Sequence, residues 1–243
     1  MRLKGKVALV TGSADRVGRT IALSLAQKGV HCVIHYRSSL RQAREAVREC
    51  QKLGVEATAL RADLTRQPEV TSLFRQAFRR FGRLDILVNN AAVFFKTPLN
   101  RCTEKEWDLT VDTNLKGSFL CAQEAAKLMR RRGGKIINIG DWAGARPYAD
   151  YLPYCVSKAG VIALTKALAL ELAPKIQVAC IAPGPVLLPK NFSRKEAKAI
   201  KGKLPLKRIG SPSDIAQTVL FLLEGTDFIT GSTITVDGGE SIV

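Results

Sequence analysis

Tyr154 and Lys158, in Y-C-V-S-K, stand four residues apart, the spacing that puts two side chains on one helix face. A phenol with a pKa of about 10 is a poor acid at neutral pH, and a neighbouring ammonium that stabilises the phenolate lowers that value. Tyr148 and Tyr151 have no lysine four residues further on, so Tyr154 is the expected proton donor and Lys158 its activator. Asp141, in I-N-I-G-D-W, precedes Tyr154 by thirteen residues. An ionised aspartate cannot donate to a developing oxyanion, and its charge opposes one. Beside a ring nitrogen that takes up a proton, however, an Asp–Tyr pair can act as a relay. The two histidines, His31 and His35, and six scattered cysteines without a C-x-x-C pair give a histidine triad or metal site little to build on; no metal is expected.

Glycine-bearing turns suit a second kind of chemistry. The stretch T-G-S-A-D-R-V-G, Thr11 to Gly18, follows an apolar run and precedes a helical pattern. Such a turn lets the backbone approach a pyrophosphate, while the helix start offers free N–H groups and a partial positive charge. The small residues of N-N-A-A, Asn89 to Ala92, permit another close backbone approach.

These residues are carried by one alternating pattern. Strand-like runs are expected at Lys6–Thr11, His31–Tyr36, Ala57–Arg61, Ile86–Asn89, Lys135–Ile139, Gln177–Ile181 and Thr233–Val236. Several are almost continuously apolar, as strands covered on both faces must be. Helical patterns lie between them at Val17–Gly29, Arg41–Gly54, Glu69–Gly82, Glu104–Asp108, Gly117–Arg132, Val156–Ala173 and Ser213–Leu223. Such alternation implies an α/β, Rossmann-type doubly wound parallel sheet of about seven strands. No linker or composition break divides residues 1–243, so one domain is expected, with its ligand crevice beyond the C-terminal strand ends.

With its glycine loop, N-N-A-A and Y-x-x-x-K in this order, the chain resembles the short-chain dehydrogenase/reductase family over essentially its whole length. The resemblance implies that Gly12, Arg16, Val17 and Gly18 face a nicotinamide dinucleotide, and that Asp63, followed by Leu64, meets the adenine amino group. It further implies that Asn90, Ala91 and Ala92 line the cofactor, that Pro183 and Gly184 form the turn on its nicotinamide side, and that Asn114 holds Lys158 through a water. The second strand ends H-Y-R-S-S: Tyr36, Arg37 and Ser38 stand where an NAD-binding member would carry a carboxylate, so NADP(H) is the expected cofactor. Three departures narrow the likeness toward pteridine reductases. Arg16 replaces the loop's middle glycine, Asp141 replaces a serine, and Phe94 stands where that branch stacks an aromatic ring on the pterin. Arg16, Phe94, Asp141 and Tyr154 are accordingly expected to touch substrate, although Ala92 lacks the hydroxyl of those relatives.

The expected activity is hydride transfer from NADPH to a pteridine-type C=N heterocycle such as dihydrobiopterin or dihydrofolate. The alternative is a carbonyl reductase such as a 3-oxoacyl-[acyl-carrier-protein] reductase, and a remoter one is a basic binding protein without turnover. The 38 Lys and Arg against 21 Asp and Glu give a net charge of +17. No nucleic-acid module accompanies this excess, which suits an anionic small-molecule substrate better. Residues 185–210 are expected to form a substrate lid; from Lys190 to Arg208 it holds eight basic residues and one acidic. No segment suits a signal peptide or membrane span, so the cytoplasm is expected. The family's last strand, matched by I-T-G-S-T-I-T-V-D-G-G, commonly lies in a tetramer interface, which implies a homotetramer.

Overall fold

The computed structural model describes residues 1–188 and 193–243. Its strands are β1 (Val7–Val10), β2 (His31–Tyr36), β3 (Ala57–Arg61), β4 (Ile86–Asn89), β5 (Gly134–Ile139), β6 (Ile176–Pro183) and β7 (Thr233–Val236). They form one seven-stranded sheet in the order β3-β2-β1-β4-β5-β6-β7, parallel throughout. The helices are α1 (Arg16–Gln27), α2 (Leu40–Lys52), α3 (Gln67–Phe81), α4 (Glu104–Val111), α5 (Gly117–Met129), α6 (Leu152–Leu172), α7 (Arg194–Lys203) and α8 (Pro212–Glu224).

Alternation within β1 shows why the strands read as continuous apolar runs. Ala8 and Val10 enter one core with α1, α2 and α8 residues such as Ile21, Ala43 and Val219. Val7 and Leu9 enter the opposite core with Leu73 and Phe74 of α3 and Cys121 of α5. A strand covered on both faces has no position at which a polar residue is cheap. The strand order reverses its direction of growth between β1 and β4, the place where an open α/β sheet splays its loops apart.

Of the boundaries that differ from the sequence pattern, two bear on the site. Helix α6 starts at Leu152 rather than Val156, because Pro153 lies in its first turn, where a missing N–H costs nothing. Tyr154 is therefore already helical. The helical pattern expected to stop at Asp108 runs on through Val111 and a five-residue π turn, Asp112–Lys116, into α5. Such wide turns sit at functional positions, and this one carries Asn114. Within the expected lid, 193–210 includes the solvent-exposed helix α7, whereas 189–192, Lys190 among them, lies outside the described residues.

Candidate active site

Strand β5 ends in the crevice and hands the chain to Asp141. Its Oδ1 accepts the Ala143 N–H at 2.8 Å, capping the short helical turn Trp142–Gly144, and its Oδ2 accepts the Tyr154 hydroxyl at 2.7 Å. One carboxylate thus shapes the turn and holds the phenol. Lys158, one helical turn beyond Tyr154, donates its ammonium to the Ile139 carbonyl at 2.8 Å and stands 5.6 Å from the centre of the Tyr154 ring. Tyr154 and Lys158 are buried, and Asp141 is partly so. Burial raises the Asp141 carboxyl, and the Tyr154 hydroxyl and Lys158 that favour its charge do not outweigh it. Burial together with Asp141 raises the Tyr154 phenol, and burial lowers Lys158. The sequence pattern led to the opposite expectation for Tyr154, a phenol made acidic by the ammonium. The difference has a physical cause: the hydroxyl faces Asp141, while the ammonium lies over the ring and is tied to a carbonyl.

Asn114, expected to hold Lys158 through a water, makes three direct bonds of its own. Its Oδ1 accepts the Val93 N–H at 2.8 Å, and its Nδ2 donates to the Val93 carbonyl at 3.1 Å and to Ser157 Oγ at 3.0 Å. Ser157 in turn donates to the Tyr154 carbonyl at 2.7 Å. The π turn therefore clamps two things at once, the loop that carries Phe94 and the helix start that carries Tyr154. Phe94 stacks on Tyr151, with ring centres 4.6 Å apart and planes at 11°, and meets Tyr154 edge-on at 4.7 Å. With Tyr148 and Trp142 these rings make an aromatic wall beside Asp141.

The glycine loop packs closely against the loop after β4, and glycine is what allows it. Gly12 has φ of +62°, and a Cβ there would come within 3.0 Å of Ala91 Cα. A Cβ on Gly18 would meet Asn90 Nδ2 and the Gly12 carbonyl, both at 2.5 Å. Thr11 Oγ1 accepts the N–H groups of Asn90 and Ala91 at 2.9 and 3.0 Å, and Asn90 Nδ2 donates to the Thr11 carbonyl at 2.8 Å, so the loops after β1 and β4 are one unit. Arg16 takes φ of +55°, a left-handed conformation that the usual glycine adopts without strain. Its guanidinium donates to the Leu187 carbonyl at 3.1 Å, tying the loop to the start of the expected lid.

At the end of β2, Arg37 and Ser38 are exposed, as is Ser39. Arg61, at the end of β3, donates to the Arg37 carbonyl at 3.1 Å and adds a second cation. Asp63 accepts both the N–H and the hydroxyl of Thr65 at 3.0 and 2.8 Å. Burial pushes that carboxyl up, but the Thr65 bonds, Arg37 and Arg66 outweigh it and leave the group below its usual range. Val17 and Tyr36 turn side chains to the core, and Leu64 is buried beside Gly117, which leaves none of these three side chains free to face the crevice. Ala92 is exposed in the loop before Val93. Pro183 ends β6, and a Cβ on Gly184 would lie 2.7 Å from Asp237 Cα, so this turn needs glycine for close approach.

Sequence reasoning overlooked several of these residues. His35 Nδ1 accepts the Gly12 N–H at 3.0 Å while its Nε2 faces the Ala62 carbonyl at 3.1 Å, joining three loops. Its place at the end of a buried strand, just before the turn expected to face the cofactor, was the available signal. Arg61 follows from the same argument applied to the next strand, but the Asn114–Val93–Ser157 clamp rests on a π turn that no periodicity announces.

A parallel sheet whose switch point carries a glycine cradle, a helix N-terminus and a buried Tyr–Asp–Lys group defines an oxidoreductase of the Rossmann type. A family described as "Enoyl-(Acyl carrier protein) reductase" matches residues 12–241. A 3-oxoacyl-[acyl-carrier-protein] reductase of Staphylococcus aureus is 40% identical over 96% of this chain and 97% of its own length. A short-chain type dehydrogenase/reductase of Picea abies is 39% identical over 98% of this chain and 93% of its own. The solved structure of a Serratia marcescens short-chain dehydrogenase/reductase superposes with a TM-score of 0.93 at 32% identity, covering 99% of this chain and all of that one. The chain belongs to the short-chain dehydrogenase/reductase family, whose members use a nicotinamide cofactor. None of these relatives is a pteridine reductase. Among the described residues no helix is long and apolar enough to cross a membrane.

Proposed function

We propose that this chain is an NADP(H)-dependent reductase that protonates a basic acceptor atom, the nitrogen of a pteridine-type C=N bond, through Tyr154 and Asp141. The supporting observation is the 2.7 Å bond from the buried Tyr154 hydroxyl to Oδ2 of the partly buried Asp141. The residues present fit the cofactor. Gly12, Gly18 and the α1 N-terminus would hold its pyrophosphate, and Arg37, Arg61 and Ser38 its 2′-phosphate. Asp63 would meet the adenine, and Asn90, Ala91, Ala92, Pro183 and Gly184 would flank the nicotinamide. When bound, that ring supplies the hydride. Tyr154 gives its proton to the substrate nitrogen and regains one from Asp141, whose burial favours the protonated carboxyl. Lys158, over the phenol ring, offsets the charge that forms as the proton leaves. Phe94, backed by Tyr151, offers an apolar face to a flat ring.

A second reading, reduction of a 3-oxoacyl thioester, is favoured by the Staphylococcus aureus relative, and by resemblance it is the better supported of the two. Asp141 stands against it, since the carboxylate left once it has passed its proton to Tyr154 opposes the oxyanion of a reduced ketone. NADPH oxidation measured with a dihydropteridine and with an acetoacetyl thioester separates the readings. Turnover of the dihydropteridine supports the first, and turnover of the thioester alone replaces it with the second. The exposed Phe221 and Phe228 support a homotetramer, and six free cysteines suit the reducing cytoplasm.

A further inference from the structure

Four buried polar side chains outside the proton-transfer group, Ser118, Asn89, Asn138 and Thr165, are joined in one chain of hydrogen bonds across the middle of the sheet. Ser118 Oγ donates to the Asn114 carbonyl of the π turn at 2.8 Å. Asn89, at the end of β4, donates through Nδ2 to the Ser118 carbonyl at 3.1 Å and to Asn138 Oδ1 on β5 at 2.9 Å. With its oxygen taken by that donor, Asn138 turns Nδ2 to Thr165 Oγ1 of α6 at 2.9 Å. The Thr165 hydroxyl accepts this bond and spends its own proton on the Val161 carbonyl at 2.8 Å. Without the Thr165 oxygen, the Asn138 amide loses its acceptor in the buried core, which is costly.

The chain gives α6 a second point of attachment. Asn114 already holds the helix at Ser157, and Thr165 lies eight residues further along, about 12 Å of helix. Between the two stands Lys158, whose ammonium reaches the carbonyl of Ile139, the residue after Asn138. Thr165 is seven residues beyond Lys158, about two turns, and so shares its face. Two attachments fix both the height of α6 on β5 and its rotation, whereas one alone leaves the helix free to turn about Ser157. We propose that Thr165, held by Asn138, is a positioning residue for proton transfer: it sets the Lys158 ammonium over the Tyr154 ring. The inference rests on Tyr154 as the proton donor and holds for either acceptor, ring nitrogen or ketone. Both side chains are sealed in the core and act through α6.

The test compares Thr165→Val, which keeps the shape of the side chain and loses its hydroxyl, with Thr165→Ser, which keeps the hydroxyl. NADPH oxidation is followed with a dihydropteridine and with an acetoacetyl thioester. The kcat is expressed per NADPH-binding site counted by fluorescence titration, so that unfolded molecules drop out. Thr165→Val should lower kcat per site by about 10- to 100-fold with NADPH affinity unchanged. It should also move the alkaline limb of the kcat profile to higher pH, because a displaced ammonium stabilises the phenolate less. Thr165→Ser should restore most of the rate and the wild-type profile. If valine leaves no binding sites, Thr165→Ala is read in the same way. A wild-type rate and pH profile in Thr165→Val, or a Thr165→Ser variant as slow as Thr165→Val, overturns the positioning role. Full activity in Tyr154→Phe removes instead the proton donor on which the inference rests, and no turnover of either probe by the wild type removes the reductase reading as well.

Discussion

Protonation of His35 should destabilise the protein by an amount that can be worked out. Burial lowers its pKa from 6.5 to about 4, against smaller opposing effects from the Ala62 carbonyl and Asp63. The neutral ring is required because Nδ1 accepts the Gly12 N–H at 3.0 Å, which a protonated nitrogen cannot do. The folded state therefore binds fewer protons than the unfolded state between these two values. Stability from this group is fully present above pH 6.5 and is lost as pH falls toward about 4. Lowering the pH from about 7 to about 5 should cost about 2 kcal/mol through this residue, of about 3 kcal/mol available in full. The assay is urea unfolding of wild type and His35→Gln at both pH values and one protein concentration. Taking the difference of differences removes every other titrating group, including Asp141. A value near 2 kcal/mol supports the argument, and one below about 0.5 kcal/mol refutes the role given to His35.

Other expectations follow from individual contacts. Gly18→Ala forces a methyl against Asn90 Nδ2 and the Gly12 carbonyl at 2.5 Å; thermal unfolding should show a loss of about 1–3 kcal/mol, and titration a weaker hold on NADPH. Arg37→Ala should lower the ratio of NADPH to NADH affinity by about 10- to 100-fold, the worth of a lost charged hydrogen bond, as read by fluorescence titration. Asn114→Ala leaves the Val93 N–H without its acceptor and should cost about 1–3 kcal/mol in unfolding experiments; it should also lower kcat more than cofactor affinity, because it frees the Phe94 loop. Tyr154→Phe should reduce kcat by about 100-fold or more with NADPH affinity retained.

The sheet was legible because its central strands are buried on both faces, so that β2 and β4 show their limits as buried runs ended by turn residues, while the partly buried edge strands β3 and β7 show theirs as short runs between turns. The pairing of Tyr154 with Lys158 was legible for a different reason: the two share a helix, so their spacing is also their geometry. What joins distant segments was not. The partnership of Asp141 with Tyr154 came through family resemblance, but which oxygen caps the turn and which holds the phenol depends on where β5 ends relative to α6. The clamp made by Asn114 depends on the π turn, and the bond from Asn138 to Thr165 depends on how α6 lies over β5. Such contacts are set by tertiary packing, to which local periodicity is blind.

Asp141→Ser offers the most direct test, with kcat/KM for NADPH oxidation measured against both a dihydropteridine and an acetoacetyl thioester. A proton relay through Asp141 and Tyr154 predicts a fall of about 100-fold or more for the ring substrate, while ketone reduction holds or rises as a hydroxyl donor replaces the carboxylate. Unchanged turnover of the dihydropteridine in Asp141→Ser would contradict it.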